Sequence, residues 1–289
     1  MTVSAIKSAR GAFVLPMVIA LMIVVALTAA VMLNRGVAAS RTVSRQIDSY
    51  RVQHSVRGLQ EAVEAWLSQQ RARTLPDVLD DDGYALTLLP GNGTRVAMYF
   101  FDGQGTARAN ALGVAEDIAD DVAAVADQLL RAHGQDGSRR YLREVGPFTV
   151  SINGAEPEVL FAMAEVLAPE DKVSDLRDEL ARFIELRESE PLGQEAITQL
   201  MNRVRISGAE RTRILRMWTP QPTLWEVVIV VKGDGIASTG EIARYRCLVL
   251  LDAGASEGAF EQPSPFLQWD ELERGDTRFE DPRYWEVGR

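Results

Sequence analysis

Ser8-Ala9-Arg10-Gly11-Ala12-Phe13-Val14-Leu15-Pro16 opens the part of the chain that decides its architecture, because a short basic leader here runs directly into an apolar segment. The apolar segment covers residues 12–33, and Thr28 is its one conventionally polar side chain. At about 1.5 Å per helical residue, its length matches a hydrocarbon core roughly 30 Å thick. We therefore predict a helix that spans a membrane.

Two ordinary interpretations compete with a specialised one for this segment. A secretory signal has an apolar region of about 7 to 15 residues before its cleavage site. This run is longer, and the nearest small-residue site, Val37-Ala38-Ala39, lies beyond Arg35. A plain uncleaved anchor is the second alternative and stays open.

The leader resembles the class III signal of type IV pilins and type II secretion pseudopilins, in which a prepilin peptidase cuts after a glycine. The resemblance implies cleavage between Gly11 and Ala12, methylation of the new N-terminus, and retention of Phe13 and the helix that follows. Lys7 and Arg10 would leave with the leader, and their charge agrees with a cytoplasmic N-terminus.

The mature chain departs from that family at two positions. Ala12 stands first, where the family usually has Phe, and Pro16 stands fifth, where the family has Glu. A chain without this carboxylate is similar to the K-type minor pseudopilins, which sit at the filament tip. The alternative is that Pro16 merely begins a helix, since proline is tolerated in a first turn.

Past the membrane, the sequence reads as a helix that continues to about residue 70. Val43, Ile47 and Tyr50 cluster on one side at 100° per residue. We expect this stripe to pack against a neighbouring helix, and the nearly opposite stripe to rest on the protein's own head. An isolated amphipathic linker is the alternative. The second stripe consists of Val52, Val56, Leu59, Val63, Trp66 and Leu67.

Strand signals occur before and after a helical block of about a hundred residues. Residues 84–89 and 94–101 flank Asn92-Gly93, a turn dipeptide, and residues 224–232 and 243–251 flank a second turn. We predict an α+β fold in which a long N-terminal helix packs on a small antiparallel sheet with a large helical insertion. The predicted parts are a leader at 1–11, a membrane helix at 12–34, its periplasmic continuation at 35–72, β segments at 73–110 and 218–253, the insertion at 111–217, and a tail at 254–289.

This layout gives a second resemblance to the K-type pseudopilins, whose head carries a helical insertion. Residues 151–160 resemble the family's Asn-x-Ala-x-x-x-Val-Leu segment, with Asn153 and Ala155 at the matching positions, and residues 183–187 resemble a helix that ends near an Arg. The family's Asp-Trp-x-Asp-x-Asp signature is absent, which puts in doubt any calcium site that depends on it.

The charge and the titratable residues exclude several functions. From residue 35 onward the chain has 29 basic and 41 acidic side chains, a balance that disfavours nucleic acid. His54 and His133 stand alone at non-ligand spacing, and Cys247 reads as a small buried hydrophobe. We predict no enzyme activity and no cofactor.

Asp80, Asp81 and Asp82 before Gly83 are the one weak candidate for a metal, Ca²⁺, and a solvated acidic turn explains them as well. The tail is acidic yet carries six aromatic side chains. It either docks on a partner or on the head, or it extends freely.

The resemblance implies a structural subunit of a pseudopilus, anchored in the inner membrane by one helix, with a periplasmic head. Implied partners are the prepilin peptidase, other minor pseudopilins, and either secreted cargo or the outer-membrane channel. The alternatives are a membrane-anchored periplasmic enzyme or binding protein, and a minor type IV pilin.

Overall fold

The computed structural model describes residues 14–72, 74–90, 93–235, 238–251, 264–273 and 284. The chain divides into two compact units, Met1–Ala65 and Trp66–Arg289, which we call the stalk unit and the head unit. Gly11, Ala12 and Phe13, the predicted processing residues, lie outside the described residues.

The stalk unit is built from a single helix, α1, which covers Val14–Leu67 and ends two residues inside the head unit. Its 54 residues correspond to about 80 Å at the standard rise. Pro16 lies in the first turn, where its missing N–H removes no hydrogen bond within the helix. The helix continues through Gly36 and Gly58 without a break.

The strands of the head unit lie mostly at its two sequence ends. In chain order they are β1 (Tyr84–Leu88), β2 (Thr94–Asp102), β3 (Ala107–Arg108), β4 (Leu142–Arg143), β5 (Val150–Ser151), β6 (Trp218–Thr219), β7 (Leu224–Gly235), β8 (Ser238–Leu250) and β9 (Phe266–Glu271). Five of them form an antiparallel sheet in the order β1-β2-β7-β8-β9.

The central strands of this sheet are apolar on both faces. Register pairs Met98 with Ile229 and Phe100 with Val227 on one face, and the residues between them face the other way. Such continuous runs of β-branched residues are typical of strands that are covered on both sides. Val228 and Val230 on the second face are covered by Leu272 and Tyr284, which come from the tail.

Five helices that the structure describes in the head unit lie in sequence between β3 and β6. They are α2 (Glu116–Tyr141), α3 (Pro157–Leu167), α4 (Val173–Arg187), α5 (Gln194–Val204) and α6 (Gly208–Met217), with a short 3₁₀ helix at Glu170–Lys172. They share one apolar core, in which Leu160, Met163 and Leu180 are completely buried. Burial of each such side chain contributes about 1.5–3 kcal/mol.

Two short parallel pairings occur within the head unit. β3 pairs with β4 at the start and end of α2, and β5 pairs with β6 at the start of α3 and the end of α6. The predicted α+β class, with a long N-terminal helix, an antiparallel sheet and several helices, is confirmed. The domain limits given above stay predictions.

Candidate functional site

Among the residues that the structure describes, one helix is long and apolar enough to cross a membrane, and it covers Pro16–Ile47 near the N-terminus. The side chains described within this range are exposed to the surroundings, as Leu21, Val24 and Leu33 illustrate. Thr28 does not interrupt the apolar surface, because its hydroxyl donates to the Val24 carbonyl at 2.7 Å. That internal bond satisfies the hydroxyl without water.

The predicted packing stripe of α1 is open. Val43, Ile47 and Tyr50 expose 52%, 46% and 63% of their surface. The Tyr50 ring stacks edge-on against His54 with centroids 4.3 Å apart, so His54 is packed on the helix surface. Single exposed apolar residues are ordinary, but three on one face of a helix that leaves a membrane form a candidate contact surface. Helix packing by these residues and by Pro16 stays a prediction.

A buried glutamine joins the sheet to the helical part of the head. Gln104 follows β2, is almost fully buried, and donates from its side-chain nitrogen to the Thr149 carbonyl at 3.0 Å. Its side-chain oxygen accepts from the backbone N–H groups of Thr223 and Leu224 at 2.7 and 3.1 Å. A single side chain therefore joins its own segment to two others at the point where β2 ends and β7 begins.

Arg143 is the buried cation of this junction. Its guanidinium is 8% exposed and donates to the carbonyls of Pro147 and Thr149 at 2.5 and 2.9 Å. Burial lowers the pKa of Arg143 from its ordinary value to about 10, so the side chain stays charged at neutral pH. It also donates to the Thr106 hydroxyl at 3.4 Å. Its role is to organise the loop before β5, because its shortest contacts are with the carbonyls of that loop.

The two segments that carried the second resemblance meet in the structure. Asn153 donates to the carbonyls of Leu192 and Pro220 at 3.0 and 2.8 Å, and it accepts from the Leu192 N–H at 2.9 Å. Arg187 donates to the Ile152 carbonyl at 2.6 Å. Both side chains thus hold the loop before α3 in place, a structural role.

The loop before α3 and the segment that follows β2 approach each other closely at two glycines. A Cβ on Gly154 would lie 2.3 Å from an oxygen of the Asp102 carboxylate, and a Cβ on Gly105 would lie 2.2 Å from the Gly154 carbonyl. The amide of Ala155 donates to the Ser151 carbonyl at 2.9 Å, so this amide is already used within the protein.

The tail supplies a buried tyrosine to the second face of the sheet. The Tyr284 hydroxyl donates to the Glu226 carboxylate at 2.7 Å, and the backbone carbonyl of Tyr284 accepts from Arg244 at 2.5 Å. Arg246 forms an ion pair with the same Glu226 carboxylate. For Phe266, Trp269 and Tyr284, the structure shows the first alternative given for the tail, because these residues dock on the head. Phe260, Phe279 and Trp285 lie outside the described residues.

A polar cleft of about 130 Å³ lies between these groups. Its charged side chains are largely neutralised within the protein: Arg140 pairs with Glu156 at 2.7 Å, and Arg246 pairs with Glu226. Paired charges of this kind stabilise a junction and offer no free base or nucleophile. The charged lining residues are Asp102, Arg140, Arg143, Glu156, Glu226 and Arg246.

The acidic turn that the sequence offered as a metal candidate is closed by its own hydrogen bonds. Asp80 accepts from the backbone N–H groups of Asp82 and Tyr84 at 3.1 and 2.7 Å, which is the geometry of a self-closed turn. Within the described ranges, no group of three or more His, Cys, Asp or Glu residues is arranged to hold a metal ion. Calcium at Asp80, Asp81 and Asp82 stays an untested expectation.

The lone cysteine is buried, whereas the second histidine is exposed. Cys247 is fully buried in β8, and burial raises the pKa of its thiol well above the ordinary value, so the thiol stays protonated. Cys247 therefore lacks the setting of a catalytic nucleophile. The His133 ring lies 4.8 Å from the Tyr141 ring on the surface of α2.

Sequence reasoning missed Gln104 and the cluster formed by Glu226, Arg244, Arg246 and Tyr284. A signal for the cluster existed, because Glu226, Arg244 and Arg246 interrupt strands that are otherwise apolar. A charge inside such a strand indicates a buried partner. For Gln104 the sequence offers no comparable signal.

No protein-family model and no curated protein match this chain. Among solved structures, it is similar to a chain of the GspK-GspI-GspJ complex of the type 2 secretion system from enterotoxigenic Escherichia coli. The match covers 81% of this chain and 99% of that chain, with 12% sequence identity and a TM-score of 0.41. A likeness of this size assigns no function, which has to come from the chain's own features.

Proposed function

We propose that this protein is a structural minor pseudopilin, located at or near the tip of a type II secretion pseudopilus, where it supports protein export across the outer membrane. It is anchored in the inner membrane by α1 and carries a periplasmic head. A prepilin peptidase removes residues 1–11, and other minor pseudopilins bind α1. The head contacts secreted cargo or the outer-membrane channel.

The observation that carries the proposal is the length and continuity of α1. A tether for an enzyme needs about 20 residues to cross a membrane, whereas α1 continues without interruption to Leu67. Beyond the apolar run it keeps an exposed apolar stripe at Val43, Ile47 and Tyr50. An uninterrupted helix with an unoccupied apolar face suits lateral packing among similar helices.

The mechanism is one of assembly. Before assembly the apolar helix lies in the membrane, where lipid covers it. A secretion motor then moves it into a bundle in which neighbouring helices replace the lipid. In the related family, a carboxylate at the fifth mature position pairs with a neighbour's amino terminus; Pro16 stands here instead. The absence of that carboxylate supports the tip position, because a tip subunit has no subunit above it.

The paired charges of the head cleft and the buried Cys247 support a structural role over an enzymatic one. The test is leader removal in a host with and without a prepilin peptidase. Gly11→Val should abolish the peptidase-dependent loss of residues 1–11, whereas Gly58→Val, a matched change at an exposed helical glycine, should leave it intact. Equal processing of both variants would favour a simple membrane tether.

A further inference from the structure

The part of α1 that follows the apolar run is basic, although the rest of the protein is acidic. Residues 35–57 hold five arginines and no lysine against the single acidic residue Asp48. Beyond residue 57, the chain holds 24 basic and 40 acidic side chains. The positive charge is therefore concentrated next to the candidate membrane span.

Three of these arginines lie within reach of a membrane surface. Arg35, Arg41 and Arg45 are exposed and come 2, 8 and 12 residues after Leu33. At the helical rise, this places their Cα atoms about 3, 12 and 18 Å beyond the end of the apolar run. Side chains on a helix lean toward its N-terminus, so all three guanidinium groups lean back toward the membrane.

Two of the three arginines lie opposite the apolar stripe. Arg41 and Arg45 are four residues apart and share one face, whereas Val43 points about 160° away from both at 100° per residue. Arg35 lies about 80° from Val43, at the side of the stripe. A neighbouring helix on the stripe would therefore leave Arg41 and Arg45 free to bind something else. The two faces of this segment can serve two different partners.

We propose that Arg35, Arg41 and Arg45 form a binding surface for anionic phospholipid headgroups in the leaflet at the C-terminal end of the span. This inference rests on the proposed function, because it requires α1 to cross the membrane. A planar guanidinium binds phosphate through two parallel hydrogen bonds, which accounts for the use of arginine alone. The surface holds the subunit in the membrane before assembly and opposes extraction of the subunit from the membrane.

The orientation rule makes this charge informative. A non-cytoplasmic flank is usually poor in Lys and Arg, yet three arginines follow the span and only Lys7 and Arg10 precede it. Binding to lipid phosphates explains why these three arginines lie on the non-cytoplasmic side of the membrane.

The test measures lipid preference of the full chain in vesicles of mixed phosphatidylglycerol and phosphatidylcholine, using spin-labelled versions of each lipid. One arginine near an anionic surface contributes about fivefold to binding, so the natural protein should prefer phosphatidylglycerol by at least that factor. The preference should fall to about one in the triple variant Arg35→Gln, Arg41→Gln, Arg45→Gln. It should also weaken in the natural protein as salt shortens the screening length from about 30 Å to 3 Å.

A matched control replaces three exposed arginines of the head, Arg71, Arg131 and Arg182, by glutamine and should keep the full preference. A natural protein without preference, or an equal loss in the control, overturns the inference while the membrane span stands. Release of the natural chain from vesicles by alkaline carbonate overturns the span itself, and with it both proposals.

Discussion

Removing the Tyr284 hydroxyl should destabilise the head by about 2 kcal/mol. The hydroxyl donates to Glu226 at 2.7 Å, and Glu226 is only 3% exposed. A hydrogen bond to a buried charged group contributes about 1.5–3 kcal/mol, and Tyr284→Phe deletes this one while keeping the ring. Tyr284→Ala also uncovers Val228 and Val230 and should cost about 4 kcal/mol, as aromatic-to-alanine changes in cores do.

The assay is urea unfolding of the full chain in detergent micelles, followed by tryptophan fluorescence, because Trp225 and Trp269 lie in the sheet that Tyr284 covers. Tyr50→Phe, on the exposed stripe of α1, is the control and should change the free energy by less than about 0.5 kcal/mol. The reasoning is refuted if Tyr284→Phe matches the control, or if Tyr284→Phe and Tyr284→Ala cost the same.

Three further changes test other contacts. Gly154→Ala forces a Cβ to within 2.3 Å of a carboxylate oxygen and should lower the free energy of unfolding by about 2 kcal/mol, measured by thermal unfolding. The control Gly58→Ala, in open space on α1, should be neutral or stabilising by up to about 1 kcal/mol. Equal effects of the two changes would contradict the close packing at Gly154. Asn153→Ala removes three hydrogen bonds and should cost about 3 kcal/mol by the same measurement, and a loss under 1 kcal/mol would count against its role. Ile47→Asp should abolish cross-linking to neighbouring pseudopilins without moving the unfolding transition of the head, and unchanged cross-linking would remove the stripe from the interface. Because Cys247 is buried, its thiol should not react in thiol-based cross-linking.

The regular elements of the fold were predictable where a strong local pattern exists. The apolar period of α1 and the β-branched runs in β7 and β8 each point to one structure, and they gave the α+β class. Boundaries were harder. Helix α2 continues to Tyr141 across a kink at Gly134, where the backbone is left-handed (φ 63°). A glycine can end a helix or bend it, and only the packing decides.

The tertiary junctions were not predictable from local pattern. Strand β9 arises in an acidic tail, because pairing with β8 and burial of Leu272 outweigh a weak intrinsic strand signal. Gln104 gains its role only because two distant segments, at Thr149 and at Thr223, converge on it. Motif residues were better guides: Asn153 and Arg187, singled out by resemblance, meet at one loop, although their contacts are structural.

The account depends on one event, the enzymatic removal of a basic leader that leaves the long apolar helix free to pack among similar helices. Mass spectrometry of the N-terminus of the native protein tests it most directly. The expected mature chain begins at Ala12 and carries a methylated amino group. A chain that begins at Met1, or beyond Leu33, would contradict the account.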